Sequence, residues 1–130
     1  MMARYLLDTH ALLFWLDGDK RLSPRARRLI HSDSNEILVS AASVWEITTK
    51  ARIGRLLGAL EVAADVPACI QSQGFSSLSI SVEHAQAAGS LPGPLRDPFD
   101  RMLIAQAHAE RIPIVSLDTA FDAYGVTRVW

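Results

Sequence analysis

Arg4-Tyr5-Leu6-Leu7-Asp8 begins as a run of buried-type residues and stops at an acid, after which Thr9-His10-Ala11-Leu12-Leu13 takes on a helical character. Near the other end, Ile112-Pro113-Ile114-Val115-Ser116-Leu117-Asp118 does the same. Short continuous apolar runs bounded by polar residues read as strands buried on both faces of a sheet. A carboxylate that follows such a run projects from the sheet's carboxyl end. In open α/β sheets that end is where ligands bind.

Working outward from these two runs, strand-like and helical stretches alternate along the chain. Strands are expected at residues 4–7, 36–40, 75–80 and 113–117, with a possible edge strand at 127–129. Helices are expected at 10–17, from Pro24 to about Ser32, and at 42–52, 61–72 and 82–90. A longer one runs from Asp97-Pro98 to Glu110 or Arg111, and a short helical stretch covers 119–123. Ser23 before Pro24 is a good N-cap and first-turn pair, and Gly54 is a suitable stop for the helix that begins at Ala42. The alternation predicts an α/β fold with a mainly parallel sheet. No internal repeat, linker or low-complexity tract interrupts it, so residues 1–130 are expected to form a single domain.

Composition narrows the classes. Hydrophobic residues make up 49% and charged residues 21%, which excludes a disordered chain. The net charge of −1 argues against a large sequence-independent nucleic-acid clamp, though not against an enzyme that binds nucleic acid locally. The single Cys69 permits no internal disulfide, and neither a secretory signal nor a membrane span is apparent. A cytoplasmic protein without a membrane association is expected.

Four acids stand where chemistry is expected. Asp8 and Asp118 follow strands, while Glu46 and Asp100 fall in the first turns of helices. Each also has an ordinary explanation. Asp8 can cap the helix near His10, and Asp118 can cap the stretch after it. Glu46 suits the helix dipole, and Asp100 can complete a capping box begun by Asp97. Those explanations are independent of one another, so the joint pattern outweighs any one of them. Gathered carboxylates repel unless protonated or neutralised by a cation. A set of hard oxygen donors suits Mg²⁺ or Mn²⁺. Other constellations are missing: His10, His31, His84 and His108 lack zinc-type spacing, and neither a phosphate-binding glycine loop nor a nucleophile elbow occurs. Lys50 lies one helical turn after Glu46, able to pair with it, orient it or approach a phosphate. The Lys20–Arg28 basic cluster reads as a solvated face, Asp122 as a solvated helix residue, and Trp15, Trp45 and Trp130 as core or interface.

Taken together, Leu7-Asp8-Thr9-His10-Ala11-Leu12-Leu13, Ser43-Val44-Trp45-Glu46-Ile47 with Lys50, Asp97-Pro98-Phe99-Asp100-Arg101 with Leu103-Ile104-Ala105-Gln106-Ala107, and Val115-Ser116-Leu117-Asp118 with Phe121 and Tyr124 carry a resemblance. In this order and spanning nearly the whole chain, they resemble PIN-domain ribonucleases, and among these the VapC-type toxins of bacterial toxin–antitoxin pairs. The resemblance implies a three-layer α/β/α sandwich. It implies a metal site built from Asp8, Glu46, Asp100 and Asp118, with Asp97 behind it and Thr9 bonded to a ligand carboxylate. It further implies Mg²⁺- or Mn²⁺-dependent cleavage of RNA by water, a small protein antitoxin, and a homodimer. The high apolar content of so short a chain also favours a homodimer. Two rival classes are a catalytically silent protein-binding module on the same fold and a Mg²⁺-dependent phosphatase with a nucleophilic Asp. The phosphatase would need Asp-x-Asp after the first strand, where this chain has Asp8-Thr9-His10.

Overall fold

The computed structural model describes residues 2–56 and 60–130. Its strands are β1 (Ala3–Leu7), β2 (Asn35–Ser40), β3 (Ser76–Leu78), β4 (Ile114–Val115) and β5 (Arg128–Val129). They form one sheet in the order β3-β2-β1-β4-β5, and every neighbouring pair is parallel. The expected mainly parallel sheet is thus parallel throughout, and residues 128–129 supply the expected edge strand. The chain builds outward from β1 in one direction, then returns to add β4 and β5 on its other side. The reversal falls between β1 and β4, and such a switch point opens a crevice at the carboxyl ends of the strands.

The helices are α1 (Thr9–Asp17), α2 (Pro24–His31), α3 (Ala41–Arg52), α4 (Leu60–Ala64), α5 (Val66–Ser72), α6 (Val82–Ser90) and α7 (Pro98–Glu110), and a 3-10 helix covers Thr119–Tyr124. Parallel strands require crossover connections, and helices supply them on both faces. Alternation along the strands sorts the core into two layers. Leu7, Ile37, Val39 and Val115 face α1, α2 and α5 through Leu12, Ile30 and Ile70. Leu6, Leu38 and Ile114 face α7 through Leu103, Ile104 and Ala107. The period of two in the strands therefore produces the three-layer α/β/α sandwich.

One expected helix is corrected. Residues 61–72 are two helices broken at Asp65, whose backbone is non-helical (φ −157°, ψ 78°) and whose side chain accepts from Ala68 N at 3.0 Å to cap α5. Pro67 in the first turn of α5 explains the break: it has no N–H, and its ring collides with the carbonyl of Ala63 in a continuous helix. The strands around 75–80 and 113–117 shrink to three and two residues. Gly54, the expected stop after α3, has φ +73°, a left-handed conformation that a side chain would strain.

Candidate functional site

Asp8 leaves β1 at the switch point. Its N–H donates to the carbonyl of Val115 on β4 at 3.1 Å, which extends the β1–β4 ladder to the last residue before α1. Its side chain caps α1, with Oδ1 accepting from Ala11 N at 2.7 Å. The other oxygen accepts from Ser116 Oγ at 2.6 Å. The capping role and the site position coexist, because a helix that starts at a strand end puts its cap in the crevice. Burial raises the Asp8 carboxyl above its ordinary range, against the pull of Ser116, Ala11 and His10, and the charge of Glu46 adds to the rise.

Glu46 sits on α3, which the chain enters directly from β2 through the N-cap Ser40. Expected in the first turn at the edge of the apolar face, Glu46 instead lies in the second turn, because α3 begins at Ala41, and it is 3% exposed. Thr9 Oγ1 donates to Glu46 Oε1 at 2.5 Å and lies 3.0 Å from Ser43 Oγ. Lys50 Nζ donates to Glu46 Oε2, which realises the expected i,i+4 pair. Thr9 thus binds a site carboxylate, as expected, but that of the second acid and not of its neighbour.

Asp100 stands in the first turn of α7, behind the N-cap Asp97. Asp97 Oδ1 accepts from Phe99 N (2.9 Å) and Asp100 N (3.1 Å), so Pro98 and Asp97 begin this helix as expected. Burial first, then the negative charges of Asp97, Glu46, Asp8 and Asp118, push the Asp100 carboxyl up to about 7. All four expected acids, with Asp97, therefore share one electrostatic neighbourhood, although they come from four separate parts of the chain. Asp118 is the exposed member. It caps the 3-10 helix through Ala120 N at 2.9 Å, and its own N–H donates to Ser116 Oγ.

Sequence reasoning missed Ser116, which is fully buried and touches two of the four acids: it donates to the Asp8 side chain and accepts from the Asp118 backbone. Its position two residues before Asp118 was the available signal, since a polar residue inside a buried strand end needs a partner. Ser43, fully buried on α3 and 3.0 Å from Thr9 Oγ1, was missed as well. Asp122 lies outside the site, paired with Arg128 Nε at 2.9 Å. Trp15 and Trp130 pack against the core, and Trp45 is 63% exposed, stacked edge-to-face on Phe99 with ring centres 5.2 Å apart.

The donor set consists of carboxylates and hydroxyls, which fits a hard divalent cation. Such a charge would offset both the burial and the repulsion that raise Asp100. Among the described residues, no three His, Cys, Asp or Glu side chains form a ready-made chelate.

The PIN domain family matches residues 5–126. No curated protein sequence is significantly similar. Among solved structures, the chain is similar to one in the VapBC2 complex of Rickettsia felis bound to a promoter DNA fragment (TM-score 0.72, 15% identity, 97% of each chain covered). It is also similar to Mycobacterium tuberculosis VapC20, a toxin that cleaves the sarcin–ricin loop (TM-score 0.69, 19% identity, 96% of this chain and 98% of that one). A third is the DNA-bound VapBC of Salmonella typhimurium (TM-score 0.68, 17% identity, 99% and 98%). At these identities the structures establish a shared fold. The family match runs from Tyr5 to Val126 and takes in all four acids, and by it the chain belongs to the PIN domain family.

Proposed function

We propose that this chain is a divalent-metal-dependent endoribonuclease that acts as the toxin of a toxin–antitoxin pair, with Asp8, Glu46, Asp100 and Asp118 as its site. One observation supports the reading: beside the switch point of the sheet, burial and then the charges of Asp97, Glu46, Asp8 and Asp118 raise the Asp100 carboxyl to about 7. Gathered carboxylates of this kind favour a bound cation. The PIN fold and its toxin relatives supply the nuclease class.

Mg²⁺ or Mn²⁺, once bound, would make water a better nucleophile and draw off the charge that builds on the phosphate. Asp8 and Asp100 are the direct ligands in this reading. Ser116 fixes the Asp8 carboxylate, leaving its remaining lone pairs for the ion. Glu46, oriented by Thr9 and Lys50, either ligates or takes the proton of the attacking water. Asp118 completes the site or holds a second, weaker ion from its exposed position. Water adds to phosphorus, the bond to the leaving oxygen breaks, and no 2′-hydroxyl nucleophile is needed. RNA selectivity then rests on the groove and its contacts.

A small antitoxin is the expected partner, as in the toxin–antitoxin complexes whose chains share this fold. An arginine on its groove-facing segment would suit the acidic site, because a guanidinium offers a fixed charge and five donors to several carboxylates. A homodimer is expected as well. Trp45, Ile80 and Val82 (82% exposed) leave apolar surface open around α3 and α6. A cleft of about 220 Å³ lies between them and α7, lined by Ala42, Ala85, Ala88 and Met102.

Incubation with total cellular RNA tests the function directly. Cleavage should require Mg²⁺ or Mn²⁺, stop on chelation and vanish in Asp100→Asn. Cleavage that persists in Asp100→Asn would assign the activity to a contaminant. Metal binding with no cleavage of any cellular RNA would favour the silent module. Light scattering of the chain without antitoxin tests the dimer, and a monomer at micromolar concentration would refute it.

A further inference from the structure

We propose that Lys50 is a tethered cation of the acidic site, occupying Glu46 when no divalent ion is present and competing with that ion for the carboxylate. The inference rests on the reading of this site as a divalent-cation site.

Both oxygens of Glu46 are engaged within the chain, Oε1 by Thr9 and Oε2 by Lys50. The two partners are unlike. Thr9 is buried and fixed at the start of α1, and its hydroxyl carries no charge. Lys50 carries a full charge on a flexible stem, and its side chain is 34% exposed against 4% for Glu46. The Lys50 side chain therefore has far more access to water than the carboxylate it pairs with.

An ordinary i,i+4 pair on an open helix face does little. This pair has its acid buried, where losing the partner leaves an uncompensated charge. The ammonium also feels more than Glu46. Burial opposes its charge, but the hydrogen bond and charge of Glu46 and the charges of Asp97 and Asp100 prevail and raise its pKa. Lys50 thus stands as the positive counterpart of Glu46, Asp100 and the neighbouring Asp97. A divalent ion drawn to the same acids would meet that charge at close range, and two cations cannot share one carboxylate edge without strong repulsion. Lys50 leaves along its exposed side, and Glu46 turns from an internal ion pair to the incoming ion. The arrangement keeps the metal-free site folded and sets how tightly it takes metal.

The competition can be measured with Mn²⁺ alone. Calorimetric titration of the parent chain, Lys50→Gln, Lys50→Arg and Asp100→Asn should show roughly tenfold tighter Mn²⁺ binding in Lys50→Gln, the scale of removing one nearby positive charge. Lys50→Arg should bind like the parent, and Asp100→Asn should bind weakly. In chelator, Lys50→Gln should melt below the parent and recover more on Mn²⁺ addition. A readout on the unmodified chain covers the case in which the variant fails to fold: amine labelling followed by mass spectrometry should find Lys50 protected without metal and more reactive once Mg²⁺ is added. Equal or weaker Mn²⁺ binding in Lys50→Gln, or labelling that Mg²⁺ leaves unchanged while Mg²⁺ binds, would overturn the proposal and leave the metal site standing. Absence of Mn²⁺ binding in the parent itself would sink both.

Discussion

The two ends of the same sheet hold carboxylates in opposite ways. At the amino end, Arg4 on β1 and Glu36 on β2 are register partners, and Arg4 Nε donates to Glu36 Oε1 at 3.0 Å. Arg4 also reaches Glu110 at 3.6 Å, Ser76 donates to the second oxygen of Glu36, and His84 Nε2 lies 3.6 Å from Glu110. Here cations and donors meet the acids, and the Ser76 and Arg4 bonds hold the Glu36 carboxyl below its ordinary range. At the carboxyl end, Asp8, Glu46, Asp97, Asp100 and Asp118 share a neighbourhood with Lys50, and the Asp8 and Asp100 carboxyls are raised. Neutralised acids tie strands together. Acids left in excess store a repulsion that a ligand can relieve, which is how functional sites depart from structural ones.

The largest break in this comparison should come from removing one acid at the carboxyl end. Asp100→Asn or Asp8→Asn should lower RNA cleavage on the order of 100-fold or more, the scale of losing one electrostatic contact aimed at the transition state. Cleavage rates under single-turnover conditions would measure it, and the circular dichroism spectrum should stay unchanged.

A smaller effect is expected from the support beneath the acids. Ser116→Ala removes the donor that fixes Asp8 and should weaken Mn²⁺ binding by roughly 10- to 100-fold, as loss of a group that orients a ligand does. Parallel metal titrations of the variant and the parent would show it. Unchanged affinity would mean that Asp8 is positioned by α1 alone.

The pH dependence of stability should separate the two ends. Asp100 has a folded pKa near 7 against 3.8 for the ordinary group, so between those values the folded state holds a proton that the unfolded state has released. Its contribution is therefore favourable at low pH and is lost as pH rises from about 4 to about 7. Allowing for solvent screening, that loss is about 1–2 kcal/mol. Glu36 has the opposite sign: its depressed pKa stabilises above the ordinary carboxylate range, and that gain disappears as pH falls through its folded value. Denaturant unfolding in chelator should thus show greatest stability in mildly acidic solution. Mn²⁺ should restore stability at pH 8 in the parent and not in Asp100→Asn. A flat profile between pH 5 and 8 would contradict the placement of Asp100.

The smallest effect belongs to the amino end. Arg4→Met breaks half-exposed ion pairs and should lower the melting temperature only slightly, with cleavage and Mn²⁺ affinity unchanged. Altered metal binding in this variant would show that the two ends are coupled.

The sequence by itself determined the α/β class, the order of the elements and the acids at their ends. Those features are local. Short continuous apolar runs make buried strands, Asp97-Pro98 and Ser23-Pro24 start helices, and a carboxylate after a strand emerges at the sheet's carboxyl end. The break at Asp65 was equally local, since Pro67 stands in plain sight within the expected 61–72 helix. The resemblance named the four acids, but their states were decided only by the tertiary structure. Nothing near Asp100 in the chain, apart from Asp97, predicts a carboxyl near pH 7. Burial, Glu46, Asp8 and Asp118 arrive through the β1–β4 switch and the packing of α3 and α7. Likewise Ser116 meets Asp8 across 108 positions of sequence, and Thr9 meets Glu46 across 37. Electrostatic energy depends on distance through space and on the dielectric around each charge, and neither exists until the sheet has closed its strands side by side.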